Sequence, residues 1–95
     1  MLSIDLFHNF TVFVLIIIIS ILDGIKASFV LTEYKGTIYL SARSIDEVNV
    51  QIIAEKLGGG GHISVAGAQF KDKTIESVRE MLMTVIDKIV EEGDL

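Results

Sequence analysis

The chain has 95 residues, no cysteine, no proline and a formal net charge of −5 at pH 7. This length allows one domain with a modest core, and the lack of cysteine excludes a disulfide framework and a cysteine metal site, so we expect a cytoplasmic protein. The negative charge argues against nucleic-acid binding by bulk electrostatics, which requires phosphates to be neutralised by lysine and arginine. Residues 76–94 hold six acids and two bases. The earlier part is therefore nearly neutral and can still contain a local phosphate site.

The first 22 residues contain a long apolar run, FTVFVLIIIISIL at residues 10–22, which carries no charge. The run is shorter than the roughly 20 apolar residues of a membrane-spanning helix. The only charge before it is Asp5, whereas a signal peptide has a basic region there. We expect this run to be a buried helix or strand. Two alternatives stay open: a segment associated with a membrane, or an apolar run that results only from where the chain is delimited. A helix that is apolar all round needs cover on several sides, from a second copy or a partner domain. We therefore separate residues 1–22 from the domain at residues 23–95.

A β-hairpin is predicted next. Residues 26–32 alternate in polarity, with Phe29 and Leu31 on one face of a strand. Residues 33–36 form a polar connection that ends in glycine, and residues 37–42 form the second strand.

An amphipathic helix is predicted at residues 45–57, where apolar residues recur at helical spacing. Ser44 and Glu47 fit a capping box, so Ser44 either caps this helix or contacts a ligand. Arg43 carries the side chain best shaped for bidentate contact with a phosphate or carboxylate. Asn49 is either exposed to solvent or supplies an amide to a ligand.

Residues 58–61 are four consecutive glycines, and His62 follows them. Glycine reaches positive φ and, without a Cβ, lets a ligand approach the backbone N–H groups. One glycine is enough to end a helix, and ordering four has a large entropic cost, so we favour a ligand-binding loop over a plain connector. His62 adds a ring whose charge changes near neutral pH. This combination indicates an anionic ligand, most simply a phosphate.

Two further elements complete the predicted domain. Small residues after the glycines lead into a strand at residues 68–70. Apolar residues at helical spacing over residues 75–89 predict a surface helix with Thr74 as its N-cap and Gly93 just past its end. The elements together predict an α+β domain in which helices cover a small mixed β-sheet.

Common catalytic and nucleotide-binding motifs are not matched. A P-loop needs a lysine after its glycines and a preceding strand, whereas these glycines follow a helix. The dinucleotide fingerprint fails because Ile63 stands where its third glycine or alanine belongs. No spacing suggests a metal site or a serine paired with His62. We predict no catalytic residue, metal ligand or cofactor in this chain, but a set of donors suited to an anion: Arg43, Ser44, Asn49, Gly59, Gly60, Gly61 and His62.

Four short motifs occur in a definite order: SARS at residues 41–44, NVQ at 49–51, GGGGH at 58–62 and AGA at 66–68. Together they resemble the DHH-associated C-terminal domain of DHH-family phosphoesterases. That family includes RecJ-type exonucleases, oligoribonucleases and cyclic-di-AMP phosphodiesterases, and the similarity is greatest to the bacterial, membrane-anchored cyclic-di-AMP phosphodiesterase. The resemblance covers residues 24–89.

The resemblance implies a substrate-binding domain that works with a DHH catalytic domain, which holds two manganese ions. Residues 59–61 and His62 are implied to hold the phosphate nearest the scissile bond, through backbone amides and the imidazole. Arg43 and Ser44 are implied to contact a neighbouring phosphate or ribose. The implied ligand is a nucleotide, cyclic dinucleotide or short oligonucleotide. Any membrane anchor is expected to belong to the parent protein.

The sequence departs from the family pattern in two places. It contains no DHH motif, so we expect a binding half that is inert without its catalytic partner. Residues 1–23 fit poorly, because an amphipathic helix is expected before the first strand. Two other functions stay open: a stand-alone nucleic-acid-binding module, and an oligomerisation module in which the apolar start pairs with a second copy to form a homodimer.

Overall fold

A computed structural model describes residues 13–21, 24–44 and 48–93. In chain order the elements are β1 (Phe13–Ile21), β2 (Gly24–Tyr34), β3 (Thr37–Ser44), α1 (Val50–Lys56), β4 (Gly60–Gly61), β5 (Val65–Lys71) and α2 (Ile75–Glu91). The strands form one sheet in the order β1-β2-β3-β5-β4, in which every described pairing is antiparallel. The α+β class is confirmed, but the sheet is antiparallel, not mixed. The reason is that β5 enters the sheet at the end where β3 leaves it.

The apolar run near the start of the chain includes an edge strand. The sequence left helix and strand open for this run; β1 pairs with β2 along its whole length, and Leu15 packs against the core. The amphipathic helix of the family pattern is therefore not found at residues 13–21, and the rest of the run lies outside the described residues. Within the described ranges, no helix has the length and apolar character needed to cross a membrane.

The hairpin of β2 and β3 closes through a two-residue turn. Lys35 and Gly36 both have positive φ, at 50° and 78°, as in the type I′ turns whose twist suits a hairpin. Phe29 and Leu31 are buried on one face, as the alternation predicts. Both strands are longer than predicted, because pairing continues to Ser44 of β3.

The core lies between one face of the sheet and the two helices. The opposite face has no helix over it in the part of the chain that the structure describes, and we call it the open face. It carries the exposed alternate residues of β3 and β5, including Tyr39, Ser41, Arg43 and Gln69. The residues that the sheet contributes to the core are Ala27, Phe29, Leu31, Ile38, Leu40, Ala42, Ala66, Ala68 and Phe70.

Helix α2 agrees with its prediction at both ends. Thr74 is the N-cap, and its side-chain oxygen accepts the N–H of Ser77 at 3.0 Å. Gly93 follows the C-cap with φ of 75°. The residues it buries against the sheet are Val78, Leu82, Ile86 and Ile89.

Helix α1 begins later than its periodicity predicts. Ser44 is not its cap, because β3 continues through Ser44, which pairs with Ala27 of β2. The N-cap is Asn49, whose side-chain oxygen accepts the backbone N–H of Ile52 at 3.3 Å. Residues 45–47, which contain the second member of the predicted capping box, lie outside the described residues. The capping prediction for Ser44 is wrong because ladder pairing holds this residue in the strand.

Truncation of the core side of α2 tests this packing. Leu82 is fully buried, so Leu82→Ala should lower the free energy of unfolding by about 2–5 kcal/mol through lost burial and the cavity left behind. Val90 lies on the same helix but is 48% exposed, and Val90→Ala should change it by no more than about 0.5 kcal/mol. Urea unfolding followed by circular dichroism measures both. Similar losses for the two variants would contradict the orientation of α2.

Candidate functional site

The glycine run is part of the sheet and not a free loop. Gly58 follows the end of α1 with φ of 88°, a conformation common just past a helix C-cap. Gly60 and Gly61 form β4, which pairs with β5 at the edge of the sheet. The backbone of residues 58–61 is therefore held at both ends.

Close packing accounts for two glycines of the run. A Cβ on Gly59 would overlap the backbone oxygen of Gly67, and a Cβ on Gly61 would lie 2.5 Å from the Cα of Ala66. Gly67 is itself confined, since its Cβ would lie 2.6 Å from the backbone oxygen of Leu40. The fold alone requires these positions to lack side chains.

Gly60 is different. A Cβ there would have no atom within 4 Å, and its φ lies outside the range that disfavours side chains. Gly60 pairs with Gly67, which in turn pairs with Ser41 of the open face. Neither packing nor backbone conformation demands glycine here, and its absent side chain leaves the backbone of β4 open to a ligand.

The backbone N–H groups of this segment differ in availability. Gly59 donates to a carbonyl of α1 at 2.8 Å, and His62 donates to Val65 at 2.7 Å. Hydrogen-bonded and non-hydrogen-bonded pairs alternate in an antiparallel ladder, so the bond of His62 places Gly61 in a non-hydrogen-bonded pair. The Gly61 N–H therefore points away from β5, out of the sheet edge. The amide of Gly59 is therefore already bonded within the protein, whereas the amide of Gly61 is not bonded to β5.

Backbone hydrogen bonds bring the ends of three elements together. The N–H of Ser44 donates to the carbonyl of Ser64 at 2.8 Å, and the N–H of Val50 donates to the carbonyl of Ile63 at 3.0 Å. The turn after His62 is thus attached to the junction between β3 and α1. The segments that carry the predicted site residues meet at one corner of the sheet.

Arg43 lies on the open face at this corner. It is exposed and pairs with Val65, which is hydrogen-bonded to His62 on its other side. At about 4.8 Å per strand spacing, roughly 10 Å separates the backbones of Arg43 and His62, a gap that the long arginine side chain can cross. We call Arg43, Gly60, Gly61 and His62 the anion corner.

Ser44 and Asn49 belong to the other side of the sheet. Ser44 follows Arg43 in β3 and pairs with the buried Ala27, so it lies on the helix-bearing face. Asn49 is half-buried and caps the helix that packs on that face. The structure therefore does not place these two residues beside the Arg43 side chain.

The open face also carries residues that sequence reasoning does not single out. Tyr39 and Gln69 form a cross-strand pair two residues along from Ser41 and Gly67. Each alternates with buried neighbours, which is the one signal available in the sequence. The pairing of β3 with β5, which unites them, cannot be read from a single sequence.

The comparison with protein families decides the classification. The sequence profile of the DHHA1 domain matches residues 12–92. The chain belongs to the DHHA1 domain family. The match confirms the resemblance to the DHH-associated domain, and it reaches further toward the N-terminus than the expected residues 24–89, so that β1 is included.

Individual relatives agree with this classification. The chain is 49% identical to the cyclic-di-AMP phosphodiesterase PdeA of Listeria monocytogenes, over 70% of the chain and 10% of that protein. It is 45% identical to the cyclic-di-AMP phosphodiesterase GdpP of Geobacillus thermodenitrificans, over 76% of the chain and 11% of that protein. It is 37% identical to the bifunctional oligoribonuclease and PAP phosphatase NrnA of Thermus thermophilus, over 68% of the chain and 22% of that protein. The aligned part is about a tenth of the length of the two cyclic-di-AMP phosphodiesterases.

Alanine substitutions in the glycine run test its structural account. Gly59→Ala should lower the free energy of unfolding by about 1–3 kcal/mol, because its Cβ would overlap β5. Gly60→Ala meets open space and should be neutral or stabilising by up to about 1 kcal/mol. Thermal unfolding of the two variants measures the difference. Equal destabilisation by both would refute the distinction between these positions.

Proposed function

We propose that this chain is the substrate-binding domain of a DHH-family phosphodiesterase and that it holds a phosphate of a cyclic dinucleotide or short oligonucleotide. The observation that carries the proposal is the anion corner, where strand pairing places the exposed residues Arg43 and His62 on either side of β5, beside a glycine that the fold does not require. Membership of the DHHA1 family and the identity to cyclic-di-AMP phosphodiesterases support it.

The chemistry of the corner suits a phosphate. Arg43 can form two parallel charge-assisted hydrogen bonds to phosphate oxygens, and among the described residues it has no ion-pair partner. The Gly61 N–H adds a backbone donor, and the bare Gly60 lets an oxygen come close. His62 adds a ring nitrogen as a further donor. With a net charge of −5 the chain repels anions over long distances, so affinity depends on these short-range contacts.

We propose that another domain carries out bond cleavage. The described residues include no group of three or more His, Cys, Asp or Glu side chains that could hold a metal ion. They do not fit the two manganese ions that the family resemblance implies. We assign those ions to a separate DHH domain, with which this chain would enclose the substrate.

Charge removal at the anion corner tests the binding site. Isothermal titration with cyclic-di-AMP and with the linear 5′-phosphorylated diadenylate should show weak binding to the chain. Arg43→Gln should lower the affinity about ten-fold or more, because a hydrogen bond to a charged group contributes about 1.5–3 kcal/mol. Gly60→Ala should also weaken binding while leaving the fold intact.

Arg79→Gln is the matched control, since Arg79 is exposed on α2, on the other side of the sheet from the anion corner. It removes the same side chain and charge and should change the affinity less than about two-fold, as expected for a remote screened charge. Equal effects of Arg43→Gln and Arg79→Gln would mean that binding follows net charge and not the anion corner. Unchanged binding in Arg43→Gln would show that the site is assigned to the wrong residues.

Added manganese tests the division of labour. The chain incubated with manganese and either dinucleotide should yield no cleavage product by chromatography, because it supplies no metal-binding cluster within its described residues. Metal-dependent cleavage by this chain alone would contradict the proposal. Tight binding to long single strands with a steep dependence on salt would favour a stand-alone nucleic-acid-binding module instead.

A further inference from the structure

We propose that Tyr39 and Gln69 form a nucleobase subsite on the open face, beside the anion corner. The inference rests on the proposed function, because it gives the same nucleotide ligand a second point of contact. It assigns to this pair the recognition of a planar, hydrogen-bonding ring.

The subsite is a cleft of about 490 Å³ next to β4. Its polar walls come from β3 and β5 of the open face, and its remaining sides come from glycines and from the buried residues Leu40 and Ala68. The lining includes Tyr39, Ser41, Gly58, Gly59, Gly67 and Gln69.

Strand register explains why a cleft exists here. Gly67 pairs with Ser41 on one side and with Gly60 on the other, so over β3, β5 and β4 this row carries one small hydroxyl and no larger side chain. Beyond β3 the row continues through Val30 of β2. The next row is the pair of Tyr39 and Gln69. The floor of the cleft is therefore backbone, and an aromatic ring and an amide rise beside it.

The same register links the cleft to the anion corner. Along β3, Arg43, Ser41 and Tyr39 follow one another on the open face, at about 6.8 Å per pair of residues. A ligand with its phosphate at Arg43 would lie across the row of Ser41 and Gly67 and bring its base toward Tyr39. The two sites are thus positioned for one nucleotide ligand.

The two side chains have the chemistry that a nucleobase requires. Tyr39 is 39% exposed, and aromatic rings on such surfaces stack with bases of any sequence. The Gln69 amide offers one acceptor and two donors, the combination that pairs with the edge of a base. Within the described ranges neither side chain makes a hydrogen bond to the protein. Both are therefore available to a ligand.

Tyr34 provides an internal comparison. It lies on the open face, in register with Thr37 of β3, but the ammonium of Lys35 sits 5.3 Å from its ring centre. It does not line the cleft. Substitution of Tyr34 therefore removes an aromatic ring from the same face without touching the proposed subsite.

Comparison of adenosine monophosphate with ribose 5-phosphate, which lacks the base, isolates the subsite. Isothermal titration of the full chain should show tighter binding of the nucleotide. Tyr39→Ala and Gln69→Ala should each weaken nucleotide binding about five-fold or more, as loss of base stacking or pairing does, and leave ribose 5-phosphate binding unchanged. Tyr39→Phe, which keeps the ring, and Tyr34→Ala should both bind the nucleotide like the unaltered chain. Circular dichroism confirms that each variant is folded.

Nucleotide binding that survives both alanine substitutions would overturn the inference, as would an equal loss of ribose 5-phosphate binding. Failure of the proposed function has a different signature. Arg43→Gln would then leave both ligands bound, while a loss confined to the nucleotide in Tyr39→Ala would still support the base subsite. An unaltered chain that binds neither ligand would overturn both proposals.

Discussion

The backbone after α1 runs so close to β5 that no side chain fits between them at Gly59 or Gly61. This contact fixes the end of the helix to the sheet edge, because the Gly59 N–H stays bonded to α1 while the next two residues pair with β5. It also carries the chain on to the turn after His62, which bonds to the start of α1 and to the end of β3. The anion corner exists because these segments are held together. The glycine run thus serves mainly to let the backbone pack against β5, and at Gly60 that backbone is accessible to a ligand.

Helices and strands that are defined by residues within their own segment, such as caps and apolar spacing, were predictable from the sequence. The capping residue Thr74, the apolar spacing and Gly93 define α2 without reference to other elements, and both of its ends are confirmed. The start of α1 was not predictable, because a capping pattern at Ser44 competes with a ladder to β2 that only the folded chain reveals. Strand β4 has no local signal at all, since glycine has low strand propensity. Long-range pairing with β5 creates it.

In the candidate site, too, local features were predictable from the sequence and features that depend on long-range pairing were not. Residue types suited to an anion identified Arg43 and His62, and the structure brings their backbones to one corner. The face of the sheet on which a residue lies depends on strand pairing, which the sequence does not show. The sequence therefore could not reveal that Ser44 and Asn49 lie on the opposite side of the sheet from the Arg43 side chain. The cleft on the open face was hidden for the same reason, because its walls come from strands that are far apart in the sequence.

Phosphate binding at the anion corner underlies both proposals. Titration of the isotope-labelled chain with inorganic phosphate, followed by nitrogen–proton correlation spectra, tests it directly. Phosphate should shift the backbone amides of Gly60, Gly61 and His62 and the side-chain Nε–H of Arg43 most and leave α2 unaffected. The largest shifts could instead fall in the groove between α1 and α2, which Lys56 and Lys73 line. That result would contradict the claim.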